Sequence, residues 1–388
     1  MKIFNWINTL NHHQLYTWNA VQDLLDKPIT YILTEIENQN RKQQGWPTID
    51  LSTMDVIIMK RKGWWHQSID ILRQNSDAIH VFNGFWTDRR LFPIIIYAVN
   101  SGIKTAILNE PYSISPVGYM RDENLLLAEA KVILRPCLYR FVFLILKLVS
   151  NKEKKICFFP ISLLAREQYL KAGFDNGSLF PFGYFVPKMN VPAKEEKKEN
   201  QIRLIFVGAL LKRKGLDIAV QALQRINQNG IKVTLDVFGY GDPTVFIPKD
   251  SNAIIYKGVI PVEYAQAVIA KYDALILPSR HDGWGVVVNE SLLQGVPVIV
   301  SDRVGSKCLI EPNVTGFIFE NENIDDLTNL LIRLLETPSL MDNIYANTKT
   351  IYKYILPEVA AQYFLDVLAY YFYGIGFRPQ AFWCNKIY

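Results

Sequence analysis

Short apolar runs rich in Val, Ile and Leu alternate with amphipathic segments through the second half of the chain. The apolar runs predict strands at residues 202–207, 232–238, 253–257, 274–277 and 297–300. The segments between them predict helices at residues 216–227, 264–271 and 289–294. Buried strands that alternate with helices are typical of a parallel sheet with helices on both faces. Ligands bind such a sheet beyond the carboxyl ends of its strands.

The first half alternates less clearly, but it contains strand-like runs at residues 3–7, 29–33, 56–59, 78–82 and 104–108. Residues 191–200 are charged, lack apolar periodicity and are the best candidate for a linker. The pattern predicts an α/β protein with two doubly wound domains, residues 1–190 and 201–356. A tail rich in Tyr and Phe follows at residues 357–388.

Composition supports a folded, two-domain chain. It has 388 residues, of which 49% are apolar and 20% charged. The four cysteines are scattered and form no Cys-x-x-Cys pair, so we expect reduced thiols in a cytoplasmic protein and no structural zinc site. Residues 1–14 lack the apolar core of a signal peptide, and no run reaches the roughly 18 apolar residues that a spanning helix requires.

Positive charge is concentrated in the first half of the chain. Residues 1–200 contain 25 Lys and Arg against 19 Asp and Glu, a net +6, whereas the remaining residues contain 17 against 18. This modest excess suits an anionic membrane surface or a phosphorylated acceptor. Residues 135–155 are apolar with interspersed basic residues and are too short to span a bilayer. They predict either a helix in the membrane interface, which would place the protein on the inner face of the plasma membrane, or a buried helix.

The most informative segment is residues 279–290, in which an apolar strand runs into a glycine-containing turn and then into a helix. The free backbone N–H groups of such a turn bind anions, and the helix dipole favours negative charge there. Two carboxylates, Asp282 and Glu290, flank the turn with seven residues between them, and Gly295-Val296-Pro297 follows.

This arrangement resembles the nucleotide-sugar site of retaining glycosyltransferases of family 4, which usually have two glutamates at this spacing. The resemblance implies the GT-B fold, two Rossmann-like domains facing across a cleft, with a terminal helix that crosses back to the first domain. It also implies that Glu290 accepts hydrogen bonds from the ribose hydroxyls. Asp282 would contact a hydroxyl of the donor sugar, and its shorter side chain leaves the identity of that sugar open.

A basic turn between two glycines, residues 208–215, is a second part of the predicted donor site. In the family, an Arg and a Lys at this point neutralise the donor diphosphate. Lys214 matches the lysine directly, and Arg213 is the second cation, because Ala209 occupies the position that often holds arginine. The remaining predicted donor-binding residues line the strand ends and the anion-binding turn: Gly208, Gly239, Gly241, Gly283, Trp284, Gly285, Val286 and Val287.

The resemblance assigns the acceptor to the first domain. There His12 and His13 follow the first predicted strand, and Asn109 and Glu110 occupy the place where many members have a histidine. Glu110 is a candidate for orienting or deprotonating the acceptor hydroxyl. His80 reads instead as a histidine at the edge of the core.

The chain contains no Asp-x-Asp motif, which metal-dependent glycosyltransferases of the other major fold use, so we predict no metal and no cofactor. The predicted function is retaining transfer of a sugar from a UDP or GDP donor to a glycan hydroxyl. The favoured acceptor is a lipid-linked intermediate of bacterial surface polysaccharide synthesis, and no nucleic acid partner is expected. Two alternatives remain: a nucleotide-sugar epimerase of the same fold, and a non-catalytic binding subunit.

Overall fold

A computed structural model describes residues 1–36, 48–119, 124–150, 156–191, 202–227 and 233–384. Most of the predicted linker, residues 192–200, lies outside these ranges, as do residues 151–155 at the end of the predicted interfacial segment. The described residues form two compact units. The first is drawn from Met1–Tyr112, Ile133–Phe185 and Pro357–Ile387, and the second from Ser113–Val132 and Val186–Leu356.

Each unit is built on one six-stranded parallel sheet. The strands of the first sheet are β1 (Ile3–Ile7), β2 (Thr30–Leu33), β3 (Asp55–Ile58), β4 (Ile79–Asn83), β5 (Lys104–Asn109) and β6 (Ile156–Pro160). Those of the second are β7 (Ile202–Val207), β8 (Val233–Phe238), β9 (Ile254–Gly258), β10 (Ala274–Leu277), β11 (Val298–Ser301) and β12 (Gly316–Phe319). Every strand predicted from the sequence is present, with bounds that shift by one residue at most over the described residues.

Helices connect most of the described strands, since neighbouring parallel strands need crossover connections. In chain order they are α1 (His12–Asp23), α2 (Trp64–Gln74), α3 (Leu91–Asn100), α4 (Leu125–Val149), α5 (Ser162–Ala172), α6 (Leu216–Asn227), α7 (Ala265–Ile269), α8 (Val286–Leu293), α9 (Ile324–Glu336), α10 (Pro338–Ile351) and α11 (Pro357–Tyr373). None of the helices in the described ranges is long and apolar enough to cross a membrane.

The two sheets have the same doubly wound topology. The first has the order β3-β2-β1-β4-β5-β6, and the second has β9-β8-β7-β10-β11-β12 when read in the same direction. In such a sheet the chain reverses its winding between the first and fourth strands, and the loops after these two strands separate to leave a binding crevice. The crevices therefore lie between β1 and β4 in the first unit and between β7 and β10 in the second.

The core of the first unit is rich in aromatic side chains. His80 belongs to this core, as its sequence context predicted: it is fully buried, accepts a hydrogen bond from Trp6 Nε1 at 3.0 Å, and lies 3.0 Å from the carbonyl of Asn75. Burial lowers the pKa of His80 to about 4, so the ring is neutral at physiological pH. Helix α11 packs on the same unit through Phe364, whose ring meets those of Trp18 and Phe159.

Candidate functional site

The predicted donor residues of the second unit gather at its topological switch point. Strands β7 and β10 pair side by side, with Leu204 opposite Ala274. The loop after β7 carries the basic turn, and the loop after β10 carries the turn with Asp282. Two segments that are about 70 residues apart in sequence therefore meet at one edge of the sheet, where parallel topology places ligand sites.

The basic residues form a short 3₁₀ turn, Lys212–Lys214, which ends at Gly215. Gly215 has φ +70°, and a Cβ atom at this position would lie 1.9 Å from the carbonyl oxygen of Pro278. Only glycine therefore lets this turn rest on the end of β10. The glycine fixes the backbone from which Arg213 and Lys214 project.

Arg280, which sequence reasoning did not single out, fastens the two loops together. Its guanidinium donates to both carboxylate oxygens of Asp217 at 2.7 and 2.8 Å, to Glu322 at 2.6 Å and to the carbonyl of Lys212 at 2.8 Å. Its backbone N–H also donates to the carbonyl of Arg213 at 2.8 Å. An arginine with low exposure that binds a carboxylate through two nitrogens holds the segments it joins rigidly in place. Nothing in the sequence pattern distinguished it from the neighbouring cations.

Lys214 and Asp282, predicted from two separate motifs, are in direct contact. The ammonium Nζ lies 2.5 Å from Asp282 Oδ2, and the two side chains are only 14% and 10% exposed. The aliphatic stem of Lys214 passes close to Gly208, where an added Cβ would lie 3.9 Å from its Cδ. One of the three ammonium protons is thus directed at Asp282.

The electrostatics keep this pair charged. Burial by itself would raise the pKa of Asp282, but the positive charges of Lys214 and Arg213 hold the pKa below its ordinary value. Burial lowers the pKa of the adjacent His281 to about 4, so its imidazole is neutral beside the two cations. The charges that act most directly on Asp282 are therefore those of Lys214 and Arg213.

Helix α8 begins at the glycine turn, three residues before the predicted start. Gly285, with φ +88°, precedes it, and the valines at 286–288 join the helix although β-branched residues favour strands. The backbone N–H groups of Val286 and Val287 lie in the first turn, where a helix offers them no carbonyl partner. They and the half-buried Gly283 remain available to an anion.

Trp284 is placed differently from the other predicted donor residues. Its side chain is 2% exposed, and its indole N–H donates to Asn289 Oδ1 at 2.9 Å inside the unit. The ring therefore serves as core packing that holds the turn against α8. Only the backbone of Trp284 is left to face a ligand.

Glu290 lies in the second turn of α8 and is 7% exposed. Burial raises the pKa of its carboxyl group to about 7. Within the described parts of the chain, no hydrogen bond or ion pair to this carboxylate is found. A buried carboxylate without a donor is costly to the fold, so its retention beside an anion-binding turn points to a ligand that supplies hydroxyl groups.

Gly239 and Gly241 allow one loop to lie against another. A Cβ atom on Gly239 would meet the carbonyl oxygen of Gly208 at 1.8 Å, and one on Gly241 would meet the Cβ of Leu210 at 2.7 Å. Leu210 also donates its N–H to the carbonyl of Tyr240 at 2.8 Å. The two glycines thus shape the loop after β7, whatever contacts they make with a ligand.

A segment distant in sequence completes the second unit near the basic turn. Residues Pro116–Gly118 form a 3₁₀ turn that belongs to this unit, although the chain up to Tyr112 belongs to the first. An added Cβ on Gly118 would lie 3.4 Å from the Cβ of His281. This contact is tertiary, and no periodicity in the sequence signals it.

The predicted acceptor residues lie at the carboxyl edge of the first sheet, in the other unit. His12 and His13 are half-buried at the start of α1, directly after β1. Asn109 ends β5, and its amide donates to the hydroxyl of Tyr139 and to the carbonyl of Glu110 at 3.0 Å. Glu110 is exposed and accepts a hydrogen bond from the Tyr184 hydroxyl at 2.8 Å.

No group of three or more His, Cys, Asp or Glu side chains is arranged to hold a metal ion in the ranges that the structure covers. The cations of the basic turn and the start of α8 are the groups in the second unit that suit a diphosphate.

Sequence comparisons with known proteins find similarity to glycosyltransferases. A family model described as glycosyl transferases group 1 matches residues 188–351, which lie in the second unit. The amylovoran biosynthesis glycosyltransferase AmsK of Erwinia amylovora is 28% identical over 189 residues, which cover 45% of this chain and 46% of AmsK. The chain spans about half the length of the curated relatives it matches.

Solved structures extend the likeness to the whole fold. The lipopolysaccharide outer core galactosyltransferase WaaB is 14% identical, with a TM-score of 0.66 over 95% of this chain and 99% of WaaB. The Anabaena HepE protein, solved with UDP-glucose, is 13% identical, with the same TM-score, and covers 95% of this chain and 99% of its own. The fold is therefore GT-B, with two Rossmann-like domains, as the sequence predicted.

Proposed function

We propose that this protein is a retaining glycosyltransferase of family 4 that binds a nucleoside-diphosphate sugar, UDP- or GDP-linked, in the second unit and transfers the sugar to a glycan hydroxyl. The observation that carries the proposal is the contrast between two carboxylates, Asp282 and Glu290, that lie at the switch point between β7 and β10. Asp282 is charged and paired with Lys214, whereas Glu290 is buried and has no donor among the residues that the structure describes. The UDP-glucose complex of the similarly folded HepE supports the choice of ligand class.

Each group has a distinct role in this proposal. The ribose hydroxyls donate to Glu290, and a hydroxyl of the sugar donates to a free lone pair of Asp282. Arg213, Lys214 and the N–H groups of Val286 and Val287 bind the diphosphate. They stabilise the negative charge that grows as the bond from the sugar C1 to the phosphate oxygen breaks.

The acceptor oxygen then bonds to C1 on the face that the diphosphate leaves, so the anomeric configuration is retained. The proton of the acceptor hydroxyl passes to the departing diphosphate oxygen, so no protein nucleophile is required. Because side chains and backbone N–H groups neutralise the diphosphate, we propose that the reaction needs no metal ion. His12, His13, Asn109 and Glu110 orient the acceptor in the first unit.

We further propose that the acceptor is a lipid-linked glycan and that the protein works at the inner face of the plasma membrane. Helix α4 supports this choice over the buried-helix alternative. Its inner side is buried in the core of the first unit through Tyr139, Val142 and Leu146. The opposite side carries a row of exposed apolar residues at helical spacing: Ile133, Leu134, Phe141, Leu144 and Leu148, from 53% to 83% exposed.

Basic side chains flank that exposed row. At 100° per residue, Arg140 and Lys147 lie along one edge of it. An apolar stripe bordered by cations is the pattern of a helix that lies in the plane of an anionic membrane surface. WaaB is named as a lipopolysaccharide outer core galactosyltransferase and AmsK as a glycosyltransferase of amylovoran biosynthesis, and these names support an acceptor of this class.

Calorimetric titration with UDP and GDP tests the donor site. Glu290→Gln removes the charge and keeps the shape, so affinity should fall about ten- to hundredfold, the cost of a charged hydrogen bond. Glu336→Gln, at an exposed end of α9, is the matched control and should bind like the parent. Equal affinity in all three proteins would exclude the ribose role.

Incubation of a nucleotide sugar with and without glycan acceptors tests the reaction class. Transfer with retained configuration, in the presence of a chelator, is the expected result. Isomerised sugar nucleotide without acceptor would identify an epimerase, and donor binding without turnover would identify a binding subunit. Loss of activity on chelation and its recovery with a divalent ion would contradict the metal-free mechanism.

A further inference from the structure

Basic side chains surround an open pocket of about 710 Å³ at the carboxyl edge of the first sheet. It is built from the loops after β3 and β4, on the side of the β1–β4 switch point toward β3. Its lining residues are Arg61, Trp64, Asp88, Arg89, Arg90 and Pro93. Lys60 and Lys62, both exposed, flank Arg61 in the chain. No role has been assigned to this cluster so far, since the donor site lies in the other unit.

The carboxylate in the pocket does not neutralise the whole cluster. Asp88 is used by its neighbour Arg90, whose Nε and terminal nitrogen donate to it at 2.9 and 2.5 Å. Arg90 also donates to the carbonyl of Thr34 at 3.3 Å, which holds the loop over the end of β2. Among the described residues, neither Arg61 nor Arg89 forms an ion pair. Two guanidinium groups therefore face the pocket without a counterion from the part of the protein that the structure describes.

The loops that present these cations are held in place. Gln67 of α2 accepts a hydrogen bond from the N–H of Lys60 at 2.8 Å and donates to the carbonyl of Ile58 at 3.1 Å, so it pins the loop after β3. The N–H of Arg90 donates to Asp88 Oδ1 at 2.8 Å, which closes a tight turn after β4. A fixed frame that gathers like charges in a concave site attracts anions to it.

Trp64 adds an apolar wall to the cationic pocket. The residue is half-buried at the start of α2, and its ring meets Trp65 edge-on at 5.8 Å between centroids. A ligand with both an anionic group and an apolar or sugar face matches these walls. A simple inorganic anion would contact only the cations of the pocket and not the apolar wall that Trp64 forms.

We infer that this pocket binds a phosphate or diphosphate group of the acceptor substrate, through the guanidinium groups of Arg61 and Arg89. The inference rests on the proposed transfer function, because it deepens the identity of the acceptor that this function requires. The phosphate would sit beside the switch point where His12 and His13 begin α1. The reacting hydroxyl would then lie on a sugar attached to that phosphate.

The probe is inorganic pyrophosphate, and its binding is measured by calorimetric titration. The background protein carries Arg213→Ala and Lys214→Ala, which remove the donor-side cations. Binding should persist in this background and fall at least tenfold when Arg61→Gln and Arg89→Gln are added. The matched control adds Lys27→Gln and Lys171→Gln, two exposed cations of the same unit outside the pocket. It removes the same charge and should leave affinity unchanged. Equal effects of the two pairs, or no effect of either, would overturn the inference.

Sedimentation with vesicles of equal parts phosphatidylcholine and phosphatidylglycerol identifies the source of the phosphate. If Arg61→Gln and Arg89→Gln weaken pyrophosphate binding alone, the ligand is the phosphate of the acceptor. If they also reduce vesicle binding, the pocket takes bilayer headgroups, and the inference about the acceptor is overturned. Failure of the proposed donor function would show separately, as a parent protein that does not bind UDP or GDP.

Discussion

Glu290 is a carboxyl group whose protonation should couple to ligand binding. Burial raises its pKa from 4.5 to about 7. Ionising it in the folded, ligand-free protein therefore costs about 3 kcal/mol more than in the unfolded chain. Between these two values the folded state binds more protons than the unfolded state. The free protein should therefore lose stability as pH rises through this window, and Glu290→Gln should abolish this loss.

Nucleotide binding should release a proton from Glu290. Ribose hydroxyls that donate to the carboxylate favour its charged form, so the affinity for UDP should rise with pH up to about 7 and then level off. At pH near 7, about half a proton should leave per nucleotide bound. Titrations in buffers of different ionisation enthalpy measure this number, and Glu290→Gln should bring it near zero. The same proton release in the variant would assign the titration to another group.

Asp282→Asn should destabilise the second unit as well as slow transfer. The sequence alone is equally compatible with a capping aspartate, for which asparagine is an adequate replacement. The structure instead pairs Asp282 with Lys214 at low exposure, and breaking such a pair leaves an uncompensated charge. We expect a loss of about 3 kcal/mol in the free energy of unfolding, measured by denaturant titration.

An exposed ion pair in the same unit serves as the control. Asp325→Asn breaks the pair with Arg225, whose side chains are 82% and 50% exposed, and should cost less than about 1 kcal/mol. Adding Lys214→Met to Asp282→Asn removes the stranded charge and should restore much of the stability but none of the transfer activity. If Asp282→Asn costs no more than Asp325→Asn, the pair does not stabilise the fold.

At the scale of elements, Gly215 tests how the basic turn is held. Gly215→Ala combines a left-handed φ of +70° with a Cβ atom 1.9 Å from the carbonyl oxygen of Pro278. Gly258 also has positive φ, +92°, but nothing lies within 4 Å of its Cβ position. Thermal unfolding should therefore show a loss of about 1 kcal/mol for Gly258→Ala and at least about 3 kcal/mol for Gly215→Ala.

The affinity for UDP should also differ between Gly215→Ala and Gly258→Ala. Moving the 3₁₀ turn away from β10 displaces Lys214 from Asp282, so Gly215→Ala should weaken UDP binding at temperatures where the protein is still folded. Gly258→Ala leaves the turn untouched and should bind UDP normally. Equal affinities would show that the turn and the site are not mechanically linked.

Elements whose signal is local were predictable from the sequence. Strands β7 and β10 and helix α6 match their predicted bounds, because short β-branched runs and a single amphipathic stripe each favour one structure. Helix α8 starts earlier than predicted, since Gly285 rather than the side chains decides where it begins. Three consecutive valines obscured that start.

Relations across the fold were not predictable. The sequence placed Lys214 and Asp282 at the same site, but their direct contact depends on β7 and β10 being neighbours. Burial of the Trp284 ring, the absence of a donor to Glu290 in the described residues and the joining of Pro116–Gly118 to the second unit are also tertiary facts. A lone sequence contains no periodic signal for any of them.

At the scale of the whole molecule, the uneven charge and the exposed face of α4 determine where the protein should be found. The first 200 residues carry a net charge of +6 by sequence, and the rest carry −1. The exposed apolar row on α4 belongs to the same basic half. Charge attracts the protein to an anionic surface and apolar side chains retain it there, and membrane anchoring of this kind needs both.

Replacing part of the exposed row should release the protein from membranes without unfolding it. Ile133, Phe141 and Leu148 are 70%, 53% and 83% exposed, so their replacement by Ser removes little from the core. If each inserts partly into the bilayer at about 1 kcal/mol, the triple variant should bind vesicles rich in phosphatidylglycerol about a hundredfold more weakly.

The control variant replaces three exposed residues of the second unit by Ser. These are Val245, Ile255 and Val259, which are 70%, 43% and 49% exposed, and the control should bind like the parent. Vesicles of phosphatidylcholine alone should bind the parent less well than anionic ones, because Arg140 and Lys147 then have no opposite charge to meet. Equal binding by the triple variant and the parent would mean that the row on α4 does not touch the bilayer, and the lipid-linked acceptor would lose its structural support.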